Sequence, residues 1–184
     1  MRRRMYRRIK RAVFVACEGK SELGYVRWLN RLADAEGVPV SIMGRDMKGG
    51  GAGKIADRAA RALLRSAGGP ATYDKRYLLM DRGPSARYRQ EIEQARQIAG
   101  KNSFSIIWQP ICHECFLLKH FAGAVDRNPP DASACEAALL AVWPAYRKGL
   151  DATEYEREIS IENLVRARAN LPELEAFLID IGWG

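Results

Sequence analysis

The sequence predicts an α/β fold in which an open, mainly parallel sheet is flanked by helices. Short apolar runs alternate four times with longer amphipathic segments, and these segments are long enough for the crossovers that parallel strands require. Acidic residues directly follow two of the runs, at the edge of such sheets where functional groups gather. From about Asp131 onward the pattern is helical only, which predicts a helical C-terminal part.

The apolar runs define four predicted strands. The first is rich in β-branched and aromatic residues and lacks polar alternation, which is typical of a strand buried on both faces. The predicted strands cover residues 12–17, 38–43, 75–80 and 104–108.

The predicted helices are recognised by apolar residues at helical spacing and by their end signals. The first ends at Gly37, and Pro84 suits the N-terminus of the third. Together they cover residues 21–36, 55–66, 85–99 and 112–121.

Length and charge narrow the classes of function. A chain of 184 residues with 47% hydrophobic residues is the size of one domain with a substantial core. The net charge of +8 favours a polyanionic partner, with nucleic acid ahead of a membrane surface; the alternative is a basic but otherwise ordinary protein. No apolar run approaches the roughly 18 residues of a membrane span, so we expect no membrane partner.

The chain divides into three predicted regions. Residues 1–11 form a basic N-terminal arm, 12–125 the α/β domain, and 126–184 a helical extension packed on it. Seven of the eleven residues in the arm are Lys or Arg, so the arm either tracks a phosphate backbone or is a solubilising tail. The arm residues that we assign to nucleic-acid binding are Arg3, Arg4, Arg7 and Arg8.

The four cysteines do not form a disulfide framework. Cys112 and Cys115 form one pair, whereas Cys17 and Cys135 are isolated in the sequence. This usage predicts a reducing cytoplasm as the location of the protein. A zinc knuckle would need a second pair, so we do not expect zinc at Cys112 and Cys115.

Two acidic residues follow buried strands. Glu18 comes directly after the first predicted strand, and Asp81 directly after the third. Because the carboxyl ends of parallel strands meet at one edge, these two carboxylates could hold Mg²⁺, which accepts one or two carboxylates and keeps its other ligands as water. The alternative is that each acid caps the helix that follows it.

A glycine-rich stretch at residues 49–54 resembles a phosphate-binding loop only superficially. A Walker motif requires glycine where Lys48 stands and Ser or Thr where Ile55 stands. The stretch is therefore either a flexible loop or a helix N-terminus whose backbone N–H groups, with Lys54, meet a phosphate.

Four motifs in order resemble RloB-like proteins, which belong with the Toprim-like domains. They are "VFVACEGKSELGYVRWL", the glycine-rich loop entering a helix, "YLLMDRG" and "CHECFLLKHF", and the resemblance covers roughly residues 12–175. The family pattern has a strand ending in Cys-Glu-Gly, a strand ending in Asp-x-Asp, a helix with Phe-Glu and a later His-Phe, and then Tyr-x-Lys. The resemblance implies a Toprim-like sheet.

The motif positions carry over one by one. Glu18 matches the first motif, and Asp81 matches the first aspartate of the second. Tyr146 and Lys148 fit the Tyr-x-Lys. The residues that match the third motif are Glu114, Leu117, Leu118, His120 and Phe121.

The resemblance implies a divalent-metal-dependent nuclease acting on DNA or RNA, in bacterial antiphage defence. Glu18 would act as general acid or base, and Mg²⁺ or Mn²⁺ would be held by Glu18, Asp81 and Glu114. His120 or Lys20 would face the phosphate. Glu22 is expected to be a capping or supporting group.

One departure weakens this interpretation and keeps an alternative open. The second aspartate of Asp-x-Asp is replaced by Gly83, which removes a carboxylate. The alternative is a catalytically weakened relative that binds nucleic acid, or an interaction subunit whose helical part docks a partner such as an ATPase.

Overall fold

A computed structural model describes residues 9–83 and 88–183 and contains a sheet of four parallel strands in this range. The strands are β1 (Arg11–Cys17), β2 (Val40–Asp46), β3 (Lys75–Asp81) and β4 (Ser105–Gln109). They lie in the order β2-β1-β3-β4, and every neighbouring pair is parallel. The predicted open parallel α/β fold is therefore confirmed, and it is consistent with a Toprim-like architecture.

Eight α-helices surround this sheet in the described residues. The helices within the α/β region are α1 (Lys20–Ala35), α2 (Ala52–Leu64), α3 (Arg89–Lys101) and α4 (His113–Leu118). The later ones are α5 (Ala132–Val142), α6 (Ala152–Glu158), α7 (Ile161–Asn170) and α8 (Pro172–Asp180). Among the described residues, none of these helices has the length and apolar character needed to cross a membrane.

The winding of the chain reverses between β1 and β3. From β1 the chain moves outward to β2, and it then crosses back to β3 on the other side of β1 before continuing to β4. Cys17 pairs with Leu79, so the carboxyl ends of β1 and β3 lie side by side. In open α/β sheets such a reversal leaves a crevice at the carboxyl ends of the strands, where ligands bind.

Alternate strand residues feed two separate cores. Phe14 and Ala16 face α2 and α3, whereas Val13 and Val15 face α1, α4 and the later helices. The core that contains Val13 and Val15 also contains residues of the later helices, up to Trp183. Residues on both sides of position 125 therefore share it.

A close approach between α1 and the segment before α6 ties the helical part to the sheet. A Cβ atom at Gly24 would lie only 2.0 Å from the backbone carbonyl oxygen of Leu150, so only glycine fits. Nearby, the backbone N–H of Gly149 donates a hydrogen bond to the Ser21 hydroxyl at 2.9 Å.

Several element boundaries differ from the sequence prediction by a few residues. Strand β2 continues three residues further, to Asp46, because its backbone keeps pairing with β1 up to the register Cys17–Asp46. Its side chains alternate between buried and exposed at this sheet edge, so apolarity alone does not mark its end. Helix α2 begins earlier than predicted, and α4 ends earlier.

Candidate functional site: a carboxylate cleft at the strand ends

A cleft of about 310 Å³ opens at the carboxyl ends of β1 and β3. Its walls come from the strand ends, the first turns of α2 and α3, the loop into α4 and the start of α5. Its lining includes Glu18, Gly51, Asp81, Gly83, Glu91 and Cys112.

Glu18 and Asp81 are joined directly in this cleft. The backbone N–H of Asp81 donates a hydrogen bond to Glu18 Oε2 at 3.0 Å, and the backbone N–H of Glu18 donates to the Leu79 carbonyl at 3.1 Å. The Glu18 carboxylate is thereby held over the end of β3. The structure thus brings these two predicted site residues together.

The two carboxyl groups have too little positive charge around them. Burial, followed by the charges of Glu22 and Glu91, raises the pKa of Glu18 to about 7, although the Asp81 N–H and Arg58 oppose this. Burial and the neighbouring carboxylates, Glu18 first, raise the pKa of Asp81 to about 9. Asp81 Oδ1 is buried and has no hydrogen-bond partner among the described residues. A cation at this point would remove a charge repulsion and satisfy an orphaned oxygen.

Glu22 acts as a cap, as predicted. Its Oε2 accepts a hydrogen bond from the backbone N–H of Gly19, the residue before α1, at 3.0 Å. Its side chain is buried, and burial raises the pKa of Glu22 to about 6.

Glu114 is buried beside the cleft and is held by residues of the helical part. The Tyr146 hydroxyl donates to Glu114 Oε1 at 2.8 Å, and Lys148 Nζ lies 3.8 Å from the same oxygen. Burial by itself raises the pKa of Glu114, but hydrogen bonds from its own N–H, from Tyr146 and from the Cys112 thiol outweigh burial and hold that pKa below its usual value. The Tyr-x-Lys positions therefore act as partners of Glu114.

The predicted three-carboxylate metal set is not assembled. Among residues 9–83 and 88–183, no group of three or more His, Cys, Asp or Glu side chains is arranged to hold a metal ion. Glu18 and Asp81 line the cleft, whereas Glu114 does not. Tyr146 and Lys148 both contact Glu114 Oε1, so this carboxylate already has partners from the helical part.

His120 lies in the core and does not reach the cleft surface, contrary to the predicted phosphate-facing position. Its side chain is fully buried, and its Nε2 shares a hydrogen bond of 2.9 Å with the Tyr25 hydroxyl. Burial lowers the pKa of His120 to about 3, so the imidazole is neutral. The local sequence around His120 does not indicate this burial, because residues of α1, which is distant in sequence, cover the side chain.

A second buried histidine was missed by the sequence reasoning. The side-chain N–H of Gln109 donates to His113 Nδ1 at 2.6 Å, His113 Nε2 lies 3.0 Å from the Tyr155 hydroxyl, and that hydroxyl donates to the Ser21 carbonyl at 3.1 Å. This chain of hydrogen bonds connects the end of β4 with α1 and α6. The available signal was Gln109, a polar residue at the end of a buried strand.

The predicted nucleic-acid contacts fall into two groups. Lys20 and Lys54 are exposed and stand in the first turns of α1 and α2, but neither lines the cleft. Arg3, Arg4, Arg7 and Arg8 lie outside the described residues.

The glycine-rich loop is anchored to the site and already has an acidic neighbour. The backbone N–H of Gly49 donates to the Glu18 carbonyl at 2.7 Å, and the Arg58 guanidinium donates to the Gly49 carbonyl. A Cβ at Gly51, which precedes α2, would lie 1.9 Å from Glu91 Oε2, so the Glu91 carboxylate packs against the backbone at the start of α2. Among the described residues its buried Oε2 has no hydrogen-bond partner. Glu91 is a cleft residue that no sequence motif indicated.

Three cysteines that are distant in sequence form one buried group. Cys135 of α5 packs with Cys112 and Cys115 at the start of α4, although the sequence interpretation treated Cys135 as isolated. All four cysteines of the chain are buried and free.

Comparisons with known proteins give one match. No curated protein and no solved structure matches the chain. In a comparison with protein families, residues 13–176 match the RloB-like protein family, which is most of the chain and includes both strand ends of the cleft. The chain therefore belongs to the RloB-like protein family.

Proposed function

We propose that the protein is a divalent-metal-dependent nuclease that cleaves DNA or RNA phosphodiesters in the cleft between β1 and β3. The observation that carries this proposal is the pair Glu18 and Asp81, which are hydrogen-bonded at the topological switch point and poorly neutralised. Two adjacent carboxyl groups without enough positive charge fit a cation better than they fit a purely structural contact.

The residues present fit a hydrated Mg²⁺ or Mn²⁺. Asp81 would hold the ion through its buried, unpartnered Oδ1, with Glu18 beside it and water completing the ligands. Bound there, the ion would neutralise charge on the scissile phosphate. The set has only two carboxylates, because Gly83 stands where the family resemblance implies a further aspartate and Glu114 is engaged elsewhere.

Glu18 is suited to proton transfer in this site. Burial brings its pKa to about 7, where a carboxyl group exchanges protons readily near neutral pH. The Asp81 N–H fixes the orientation of its carboxylate, so the proton-accepting oxygen has a defined position.

The first test separates metal binding from cleavage. We expect Mg²⁺ or Mn²⁺ to raise the melting temperature of the wild-type protein, by an amount equivalent to about 2.7 kcal/mol at a hundred times Kd, and Asp81→Asn to abolish this shift. Glu18→Gln should lower the cleavage rate of labelled DNA or RNA by about 10²-fold or more, because it removes the proton acceptor but keeps the shape.

A matched control is Glu93→Gln, since Glu93 is exposed on α3 and does not line the cleft. Glu93→Gln should cleave and melt like the wild type. Absence of both a metal-dependent shift and cleavage in the wild type would contradict the proposal.

Gly83 favours a second candidate, a nucleic-acid-binding subunit without cleavage activity. Loss of one carboxylate weakens the hold on a divalent ion while leaving the basic surface unchanged. Salt-dependent nucleic-acid binding without cleavage in any divalent metal would favour this candidate. In either form the family resemblance implies a role in bacterial antiphage defence, with an ATPase as a potential partner, and the free cysteines suit a reducing cytoplasm.

A further inference from the structure

A second cavity, separate from the carboxylate cleft, is strongly basic. It has a volume of about 370 Å³ and lies between the end of β2, an edge strand of the described sheet, and helix α2. We call it the basic groove; its charged lining consists of five cations and one carboxylate, namely Arg45, Lys48, Arg58, Arg61, Arg65 and Asp46.

The sequence of α2 directs three of these cations to one side. Arg58, Arg61 and Arg65 are spaced by three and four residues, which places them on one helical face. The opposite face of α2 is rich in alanine and packs into the core against the sheet and α3. The groove is therefore built by an amphipathic helix whose polar face is cationic.

Backbone carbonyls hold two of the guanidinium groups in place. Arg45 Nη1 donates to the Ala62 carbonyl at 3.2 Å, and Arg58 donates through Nε to the Lys54 carbonyl at 3.3 Å and through Nη2 to Gly49. Contacts with carbonyls orient these groups without neutralising them. Asp46 in the lining and the Arg61–Asp57 ion pair, at 2.9 Å, balance only part of this positive charge.

The basic groove lies next to the carboxylate cleft. Lys48 lines the groove and Gly50 lines the cleft, two residues further along the same loop. Arg58 lines the groove as well and donates to the Gly49 carbonyl, while the Gly49 N–H donates to the Glu18 carbonyl. A chain lying in the groove would thus continue into the cleft past Gly49.

We propose that the basic groove binds the phosphate backbone of the nucleic-acid chain whose scissile phosphate enters the cleft. The proposal rests on the proposed function for the identity of its partner. A row of guanidinium groups matches successive phosphates, because arginine forms paired hydrogen bonds with phosphate oxygens. Contacts of this kind position a strand without reading its sequence.

The test measures binding by the full chain in EDTA, so that it does not depend on metal or cleavage. Fluorescence anisotropy with labelled single-stranded and duplex oligonucleotides gives the affinity as a function of salt. We expect Arg45→Gln with Arg65→Gln to weaken binding and to flatten the slope of log K against log salt, by about 1.4 for single strands or about 1.8 for duplex DNA.

The matched control removes the same charge elsewhere. Arg127 and Arg157 are exposed in the segments that follow α4, on the other side of the sheet from α2. Arg127→Gln with Arg157→Gln should leave the salt slope close to that of the wild type. Melting temperatures of both double variants establish that they are folded.

Three results would overturn the inference. The first is a groove variant with the wild-type salt slope, and the second is a control variant that flattens the slope equally. The third is a wild type that binds no nucleic acid, which would indicate an acidic protein surface as the partner of the groove. Cleavage is measured separately with Mg²⁺ or Mn²⁺. Loss of binding in the groove variant together with an inactive wild type would support the groove and contradict only the nuclease.

Discussion

Gly83 has a backbone conformation that explains why a side chain is difficult to restore there. Its φ is +72°, in the left-handed region that favours glycine, and a Cβ would lie 2.9 Å from Tyr88 Cδ2. A second carboxylate at this position therefore requires both backbone strain and a movement of the Tyr88 ring. The glycine in place of the second aspartate therefore fits the left-handed backbone of the residue two positions after β3.

We predict that Gly83→Asp and Gly83→Ala both lower the free energy of unfolding, by about 1–2 kcal/mol for the left-handed backbone. Because the two variants share the strain at Cβ, their difference reports on the carboxylate. Gly83→Asp should show a larger Mg²⁺-dependent rise in melting temperature than Gly83→Ala, since it adds a charge beside Asp81. Equal metal responses in the two variants would mean that position 83 does not face the ion.

Helices α1 and α4 pack through aromatic rings that enclose His120. The rings of Tyr25 and His120 are 5.5 Å apart and nearly perpendicular, and Phe116 completes the contact. Since His120 Nδ1 has no hydrogen-bond partner in the described part of the chain, a proton on this ring would be poorly accommodated. The packing of these two helices therefore depends on a neutral imidazole.

We predict a pH-dependent stability difference between the wild type and His120→Gln. The pKa of His120 is lowered by burial to about 3, whereas an unfolded histidine has a pKa of about 6.5. As pH falls below about 6.5 the unfolded state binds a proton that the folded state does not, so the wild type loses stability and the variant lacks this loss. The difference in unfolding free energy should change by about 2 kcal/mol in favour of the variant between pH 7.5 and 5.

Urea unfolding at several pH values measures this difference, and all other titrating groups are common to both proteins. Tyr25→Phe is the matched control, because it removes the same hydrogen bond but keeps the imidazole. Its stability difference from the wild type should stay nearly constant over this pH range. A constant difference for His120→Gln would mean that His120 is accessible to protons in the folded state.

One of the two cores crosses the predicted boundary near residue 126. Val13 and Tyr25 belong to the same hydrophobic cluster as Leu139, Phe177 and Trp183. Removal of the helical part would expose this cluster along with the partners of Glu114. We therefore expect the helical part to fold together with the sheet.

We predict a single unfolding transition for the whole chain. Trp28 and Trp108 report on the sheet region, and Trp143 and Trp183 report on the helical part. Two double variants each keep the tryptophans of one part only: Trp143→Phe with Trp183→Phe, and Trp28→Phe with Trp108→Phe. In each variant, the urea midpoint from fluorescence should equal the midpoint from far-UV circular dichroism. Separate midpoints would show that the helical part is an independent domain.

Local patterns in the sequence determined the strands, the helices and one edge of the site. Strand residues alternate between two buried faces and helices repeat every 3.6 residues, so both leave a pattern that can be recognised without the fold. Glu18 and Asp81 could be placed together because parallel strands end at the same edge of a sheet. The proximity of these two residues follows from the topology that open parallel α/β folds share.

The tertiary structure alone decided which other polar groups join the site. Glu114 is held by Tyr146 across a separation of 32 residues, Glu91 reaches the start of α2, and Cys135 joins Cys112. His120 was expected at the surface and is instead covered by α1. The burial, charge neighbours and free hydrogen-bonding positions of a side chain depend on the packing of elements distant in sequence, and no local periodicity records that packing.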